Sequence, residues 1–167
     1  YVTVKTQPMK LAAMEALYKG HAPTGLIAAG IVNPAKKTGD DHDPFIAKLE
    51  IPGMLSVLAN REFNTFVAGI DDLVWGNSEQ GIVGVDEKMR RGKLAVASLD
   101  SYKQARKVDD KDTVQASLDT FRQHEDYLGY GYLKMPEEAV PPVGLIFYSF
   151  RVMVMLGSSF ILLFALY

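Results

Sequence analysis

The chain has 167 residues, no cysteine, a formal charge of −2 and 48% apolar residues, averages that describe an ordinary globular domain. The missing cysteine excludes a disulfide framework and thiol chemistry without fixing a compartment, and the lack of a basic stripe with interleaved aromatics excludes a nucleic-acid partner. The averages hide an uneven distribution: Val143–Tyr167 holds one charge, Arg151, while the other 17 of the 18 basic residues and all 20 acidic ones precede it.

In chain order, "QPMKLAAMEALYKG" predicts a helix. Pro8 suits a first-turn position, Ala and Leu are strong helix formers, and Gly20 is a natural stop. "GLIAAGIV" (Gly25–Val32) and "PFIAKLEIPG" (Pro44–Gly53) predict two strands, paired as a hairpin across a polar excursion, Asn33–Asp43. "MLSVLANREF" predicts a short helix, and "VAGIDDLVW" a looser helical or irregular segment. Two longer helices follow. Val85, Met89, Val96 and Leu99 recur at helical spacing in the first, and Val114, Leu118, Phe121 and Leu128 in the second, which Gly129 ends. The short break at Val108–Lys111 makes them an antiparallel pair. "LGYGYLKMPEEAVPP" is punctuated by Gly and Pro and leads into the apolar run.

That run, Val143–Tyr167, is 25 residues, about 37 Å as a helix against a hydrocarbon core of roughly 30 Å. It predicts a transmembrane helix. On its flank, Gln123–Pro142, Lys134 is the only basic residue against Glu125, Asp126, Glu137 and Glu138. Scarce juxtamembrane cations favour the non-cytoplasmic side for residues 1–142. Tyr1 begins mid-pattern and the apolar run continues to Tyr167, as expected of a segment of a larger membrane protein. The fold class expected is thus a mainly α membrane-protein fragment: an extramembrane domain of short helices with one β-hairpin, followed by a transmembrane helix.

Two places carry chemistry. Arg151 stands some 12 Å into the run, where a charge costs from about 2.5 kcal/mol upward. It either snorkels to the near interface or pairs with a buried anion, such as a cofactor carboxylate. Met153 is either a packing residue or an axial haem ligand, which raises reduction potential. The two point roughly 200° apart on a helix. Near the start, Glu15 either makes a solvated i,i+4 pair with Lys19 or marks, with Lys10, two polar corners of a pocket close to the membrane. "GDDHDP" (Gly39–Pro44) reads as a solvated loop rather than a metal site. His21 and His124 fit no ligand spacing, and no phosphate loop, G-x-S-x-G or H-E-x-x-H is present.

"TQPMKLAAMEALY", "LEIPGMLSVLANREFNTFVAGIDDL", "LGYGYL" and "FYSFRVMV", in that order, resemble subunit I of the cytochrome bd-type quinol oxidases of bacterial respiratory chains. The resemblance runs from about Val4 to about Gly157 and covers that family's quinol loop, in its long form, with the helix after it. It implies a division into residues 1–8, the juxtamembrane end of a preceding transmembrane helix, 9–142, the quinol-binding loop domain, and 143–167, a transmembrane helix carrying a haem ligand. It further implies that Lys10 and Glu15 act in quinol binding and oxidation, that Met153 is an axial ligand of a low-spin haem b, and that Arg151 lies beside that haem and favours its reduced form. A second haem b and a haem d belong to the parent complex, with ligands outside this chain. The implied setting is the bacterial inner membrane with the loop on the periplasmic side. The implied partners are membrane quinol, the lipid bilayer, oxidase subunit II and small accessory subunits. The parent passes electrons from quinol through haem b to an oxygen-reducing haem site and builds a proton gradient; the fragment alone is expected to be inactive. The alternative from another class is a non-enzymatic, membrane-anchored extracytoplasmic binding domain.

Overall fold

A computed structural model of the chain describes residues 6–108 and 110–167. The part of the expected 1–8 segment that falls on residues 1–5 lies outside the described residues. In order, the elements are α1 (Pro8–Glu15), β1 (Leu26–Val32), β2 (Phe45–Ile51), α2 (Met54–Asn60), α3 (Ile70–Trp75), α4 (Val85–Lys107), α5 (Lys111–His124), two 3-10 helices (Glu125–Tyr132 and Pro136–Ala139) and α6 (Val143–Leu166). They fall into two compact units, residues 1–73 with 140–167, and residues 74–139.

In the first unit, β1 and β2 pair antiparallel with Leu26 opposite Ile51 and Val32 opposite Phe45. Register shifts between Ile27 and Ala29 and between Ile31 and Val32 bend the ribbon, as an extra residue in one strand does. Its polar connection is tied at both ends, because the Asn33 amide nitrogen donates to the Pro44 carbonyl (2.9 Å) and the Asn33 side chain to the Asp43 carbonyl (3.0 Å). The core is small: Leu55, Ala59 and Val67 are buried, with Leu11, Leu17 and Leu26 packed on them. The Ser56 hydroxyl joins separate pieces, accepting from the Thr24 amide (2.8 Å) and donating to the Thr65 carbonyl (2.8 Å). Such pairing satisfies polar groups that burial would otherwise leave costly.

Among the described residues, one helix is long and apolar enough to cross a membrane, and α6 is its body. Its beginning belongs to the first unit's core. Phe147, 1% exposed, meets Phe45 edge-on at 5.4 Å, and the Tyr148 hydroxyl accepts the Val32 amide at 3.0 Å. From Val152 onward every residue of α6 is exposed.

The second unit is built on α4 and α5, antiparallel as the break predicts, with the 3-10 helix Glu125–Tyr132 beside α4. Asp110 caps α5 by accepting from the Thr113 amide (3.2 Å) and hydroxyl (2.6 Å), which satisfies a donor the helix leaves open. The contact face of α4 differs from the expected one. Val85 and Met89 are buried, but Val96 and Leu99 only in part, and burial runs through Gly92, Ala95 and Ser98. The reason is a close backbone approach: a Cβ on Gly92 would lie 2.4 Å from both the Gly131 nitrogen and the Tyr127 carbonyl oxygen. Small residues bring the backbones together, and the larger apolar ones flank the contact.

One other expectation needs correction. α1 ends at Glu15, short of Gly20, because Ala16 takes a left-handed conformation (φ 48°) and returns its N–H to the Ala12 and Ala13 carbonyls, a closure usually given to glycine. Of the segment expected to be loosely helical or irregular, Ile70–Trp75 forms the short helix α3, anchored where the Ile70 amide donates to the Leu17 carbonyl and the Asp71 amide to the Tyr18 carbonyl, both at 2.8 Å.

Candidate functional site

The early end of α1 decides where its last residue faces. Glu15 is 3% exposed and packs towards β1, where the Ile27 amide donates to its carboxylate. Arg151 arrives from the other side of the same unit. With Phe147 and Tyr148 fixed on the hairpin, the next turn of α6 carries the guanidinium over the rings of Phe147 (4.8 Å) and Phe150 (5.3 Å). There it meets Glu15 in a two-pronged pair, Nη2 to Oε2 at 2.6 Å and Nη1 to Oε1 at 3.3 Å. The Arg151 side chain is 13% exposed, so it does not snorkel. Its counter-charge comes from this chain.

The pair overturns the solvated Glu15–Lys19 reading. Lys19 no longer lies on the helix of Glu15, and its ammonium binds Asp41 at 3.1 Å. A pair out of water costs much to form but more to break, about 3–5 kcal/mol when one partner is removed. Burial pushes the Glu15 carboxyl above its ordinary range, against the opposing pull of the Arg151 guanidinium and the Ile27 amide. Arg151 Nε is buried and has no partner, an uncommitted donor beside the pair.

Glu15 and Arg151 line a cavity of about 570 Å³ together with Gln7 and Lys10. Lys10 is exposed at the rim. The remaining walls are apolar, from α1 (Leu11, Met14), β1 (Leu26, Ile27), α2 (Leu55, Leu58) and α6 (Phe150, Val154). An apolar slot with a few convergent polar groups is the usual form of a small-molecule site. Here one end offers an ammonium, and a buried carboxylate held by a guanidinium faces the same space. That arrangement takes a flat, partly apolar molecule with ionisable oxygens. Sequence reasoning found Lys10, Glu15 and Arg151 but not the walls from β1 and α2. Their only signal was the motif order itself, since no local spacing joins Leu26 or Leu58 to Arg151.

Met153 stands elsewhere. It is 59% exposed on α6 and does not line the cavity, as expected of a residue two positions from Arg151. An exposed thioether on an apolar helix face is a soft donor that would suit a haem iron. Among the described residues no group of three or more His, Cys, Asp and Glu could hold a metal ion. In the "GDDHDP" turn, Asp40 is an organiser. Its carboxylate meets the buried Lys36 ammonium at 2.8 Å, accepts from the Lys37 amide at 2.8 Å and meets His42 Nδ1 at 3.2 Å. Those donors hold its carboxyl well below the usual carboxylate range. The other two histidines stay apart from the site: His21 Nδ1 contacts the Lys19 carbonyl (3.3 Å), and His124 Nδ1 is buried without a partner.

Comparison with known proteins finds both a family and individual relatives. The family described as cytochrome bd terminal oxidase subunit I matches residues 1–167. The cytochrome bd-II ubiquinol oxidase subunit 1 of Escherichia coli (strain K12) is 26% identical over 182 residues, covering 97% of this chain. The chain spans 31% of that relative's length.

Proposed function

The chain belongs to the cytochrome bd terminal oxidase subunit I family, and from that premise we propose that it is the quinol-oxidising part of a respiratory quinol:oxygen oxidoreductase. Residues 9–142 are the quinol-binding loop domain on the periplasmic side of a bacterial inner membrane, and residues 143–167 cross the bilayer. The observation that carries the reading is the cavity shared by Lys10, Glu15 and Arg151.

The chemistry follows from the residue types. A quinol becomes a quinone by losing two electrons and two protons. The Lys10 ammonium donates a charge-assisted hydrogen bond to one ring oxygen and so fixes the ring's orientation. Glu15 is the general base for a hydroxyl proton, and burial suits it, because a carboxyl with raised proton affinity is the better acceptor. Arg151 holds the carboxylate in place and balances its charge between turnovers. The apolar walls exclude water and receive the ring. Met153 is the residue that would hold a low-spin haem b, which when bound supplies a one-electron acceptor of raised potential on the way to the oxygen-reducing site. The spare Arg151 Nε is a donor for an anionic group of that cofactor. The second haem b, the haem d, subunit II and any accessory subunits complete the parent complex around this chain.

The test is Glu15→Ala in the full-length oxidase. Quinol oxidation falls about 10²-fold or more, and by more than the haem content. Normal quinol turnover in that variant would remove Glu15 from the mechanism. A membrane-anchored binding domain without chemistry is the poorer account, since it requires Arg151 to reach for the interface rather than for a buried carboxylate.

A further inference from the structure

Glu15 is a wall of two cavities. Behind the quinol slot lies a second space of about 280 Å³ in the same unit, bounded by Glu15, Tyr18, Lys36 and the stretch Asp40–Asp43. One water needs only about 10–15 Å³ of such space, so the cavity has room for several waters. Its inner end is a carboxylate that is almost wholly buried, and its outer end is an exposed loop where the Asp41 side chain is 97% and the His42 side chain 64% accessible.

Most charges along this space are already committed. Lys36 binds Asp40 (2.8 Å), Lys19 binds Asp41 (3.1 Å) and Lys48 binds Glu50 (2.5 Å). His21 is turned to the Lys19 carbonyl. Two groups at the mouth remain open to exchange. Asp43 makes no ion pair among the described residues; His42 meets Asp40 through its backbone amide and through ring Nδ1, both at 3.2 Å, and its Nε2 has no partner among the described residues. Imidazole is the side chain that takes up and gives up protons near neutral pH.

We propose that this second cavity is the exit through which the quinol's proton leaves Glu15 for bulk water, with His42 and Asp43 as the relay at its mouth. The inference rests on the reading of Glu15 as proton acceptor. The quinol O–H bond breaks as the proton bonds to a Glu15 carboxylate oxygen, most readily Oε1, whose contact with Arg151 is the looser one (3.3 Å against 2.6 Å). Cavity water takes that proton, His42 or Asp43 receives it from the water, and bulk water removes it. Glu15 returns to its ion pair. No electron follows this route.

The experiment uses the full-length oxidase with the double substitution His42→Ala and Asp43→Asn, and separately His42→Gln. Quinol turnover at saturating quinol slows several-fold in the double variant and by less in H42Q, the solvent deuterium isotope effect grows, and the KM for quinol and the haem spectrum stay as they were. Added imidazole restores the rate, which it would not do for a loop damaged in shape. Unchanged turnover and isotope effect overturn the exit, as does a loss that imidazole leaves in place. The two readings fail separately: normal turnover in Glu15→Ala removes the proton acceptor itself, whereas turnover that needs Glu15 yet ignores His42 and Asp43 overturns the exit alone.

Discussion

The two units each hold a glutamate gripped by arginine, and the two glutamates behave in opposite ways. In the first, Glu15 is buried against Arg151 and its carboxyl is pushed up. In the second, Glu87 on the first turns of α4 takes Arg90 (2.7 Å) and Arg91 (2.8 Å) in the open, and those donors pull its carboxyl down to about 2. The distances are nearly alike, but Glu87 has two guanidinium partners where Glu15 has one, and water reaches it. Where solvent still reaches the carboxylate, the guanidinium's attraction prevails; where it does not, the loss of hydration outweighs a two-pronged arginine. A carboxyl raised and a carboxyl lowered are thus both found beside arginine, set apart by depth and by the number of guanidinium donors.

The contrast can be broken at several points. The largest expected effect is at Met153, where Met153→Leu in the full-length oxidase abolishes the low-spin haem b spectrum; an unchanged spectrum would refute the ligand assignment. Next, Arg151→Leu strands a buried carboxylate and costs about 3–5 kcal/mol, read as a lowered unfolding temperature of the oxidase. Adding Glu15→Gln to it recovers part of that loss, because the stranded charge is gone. In the second unit, Gly92→Ala drives a methyl into backbone at 2.4 Å and costs about 1–3 kcal/mol by overpacking, visible as faster hydrogen exchange in α4 and in the facing 3-10 helix. The smallest effect belongs to the solvent-reached cluster: Glu87→Gln lowers thermal unfolding only slightly and speeds exchange at the first amides of α4. Acid gives the same cluster a sign. Because the folded value of Glu87 is depressed, its contribution is present above the ordinary value of 4.5 and is lost as pH falls towards about 2, so the first amides of α4 exchange faster across that interval.

What could be read from the residues depended on range. The hairpin, α4, α5 and α6 follow from local period and punctuation, and they were legible to within a few residues. The end of α1 was not, because Ala16 adopts a conformation that Gly20 was better suited to supply, and tertiary contacts at Leu17 and Tyr18 decide it. The face of α4 was misjudged because hydrophobicity marks volume, whereas Gly92 packs by having none. Lys10, Glu15, Arg151 and Met153 stood out through their motifs, and the meeting of Glu15 with Arg151 did not. The two lie 136 residues apart, and only a general rule, that a lone cation in an apolar run wants an anion, pointed towards it.

The hydroxyl of Tyr148 has a mechanical consequence. It clasps the amide of Val32, the last residue of β1, one helical turn before Arg151. With Phe147 packed on Phe45, it latches helix to ribbon at neighbouring points, and the guanidinium sits just beyond them like the tip of a short lever. How α6 leaves the ribbon thus sets where the guanidinium meets the carboxylate.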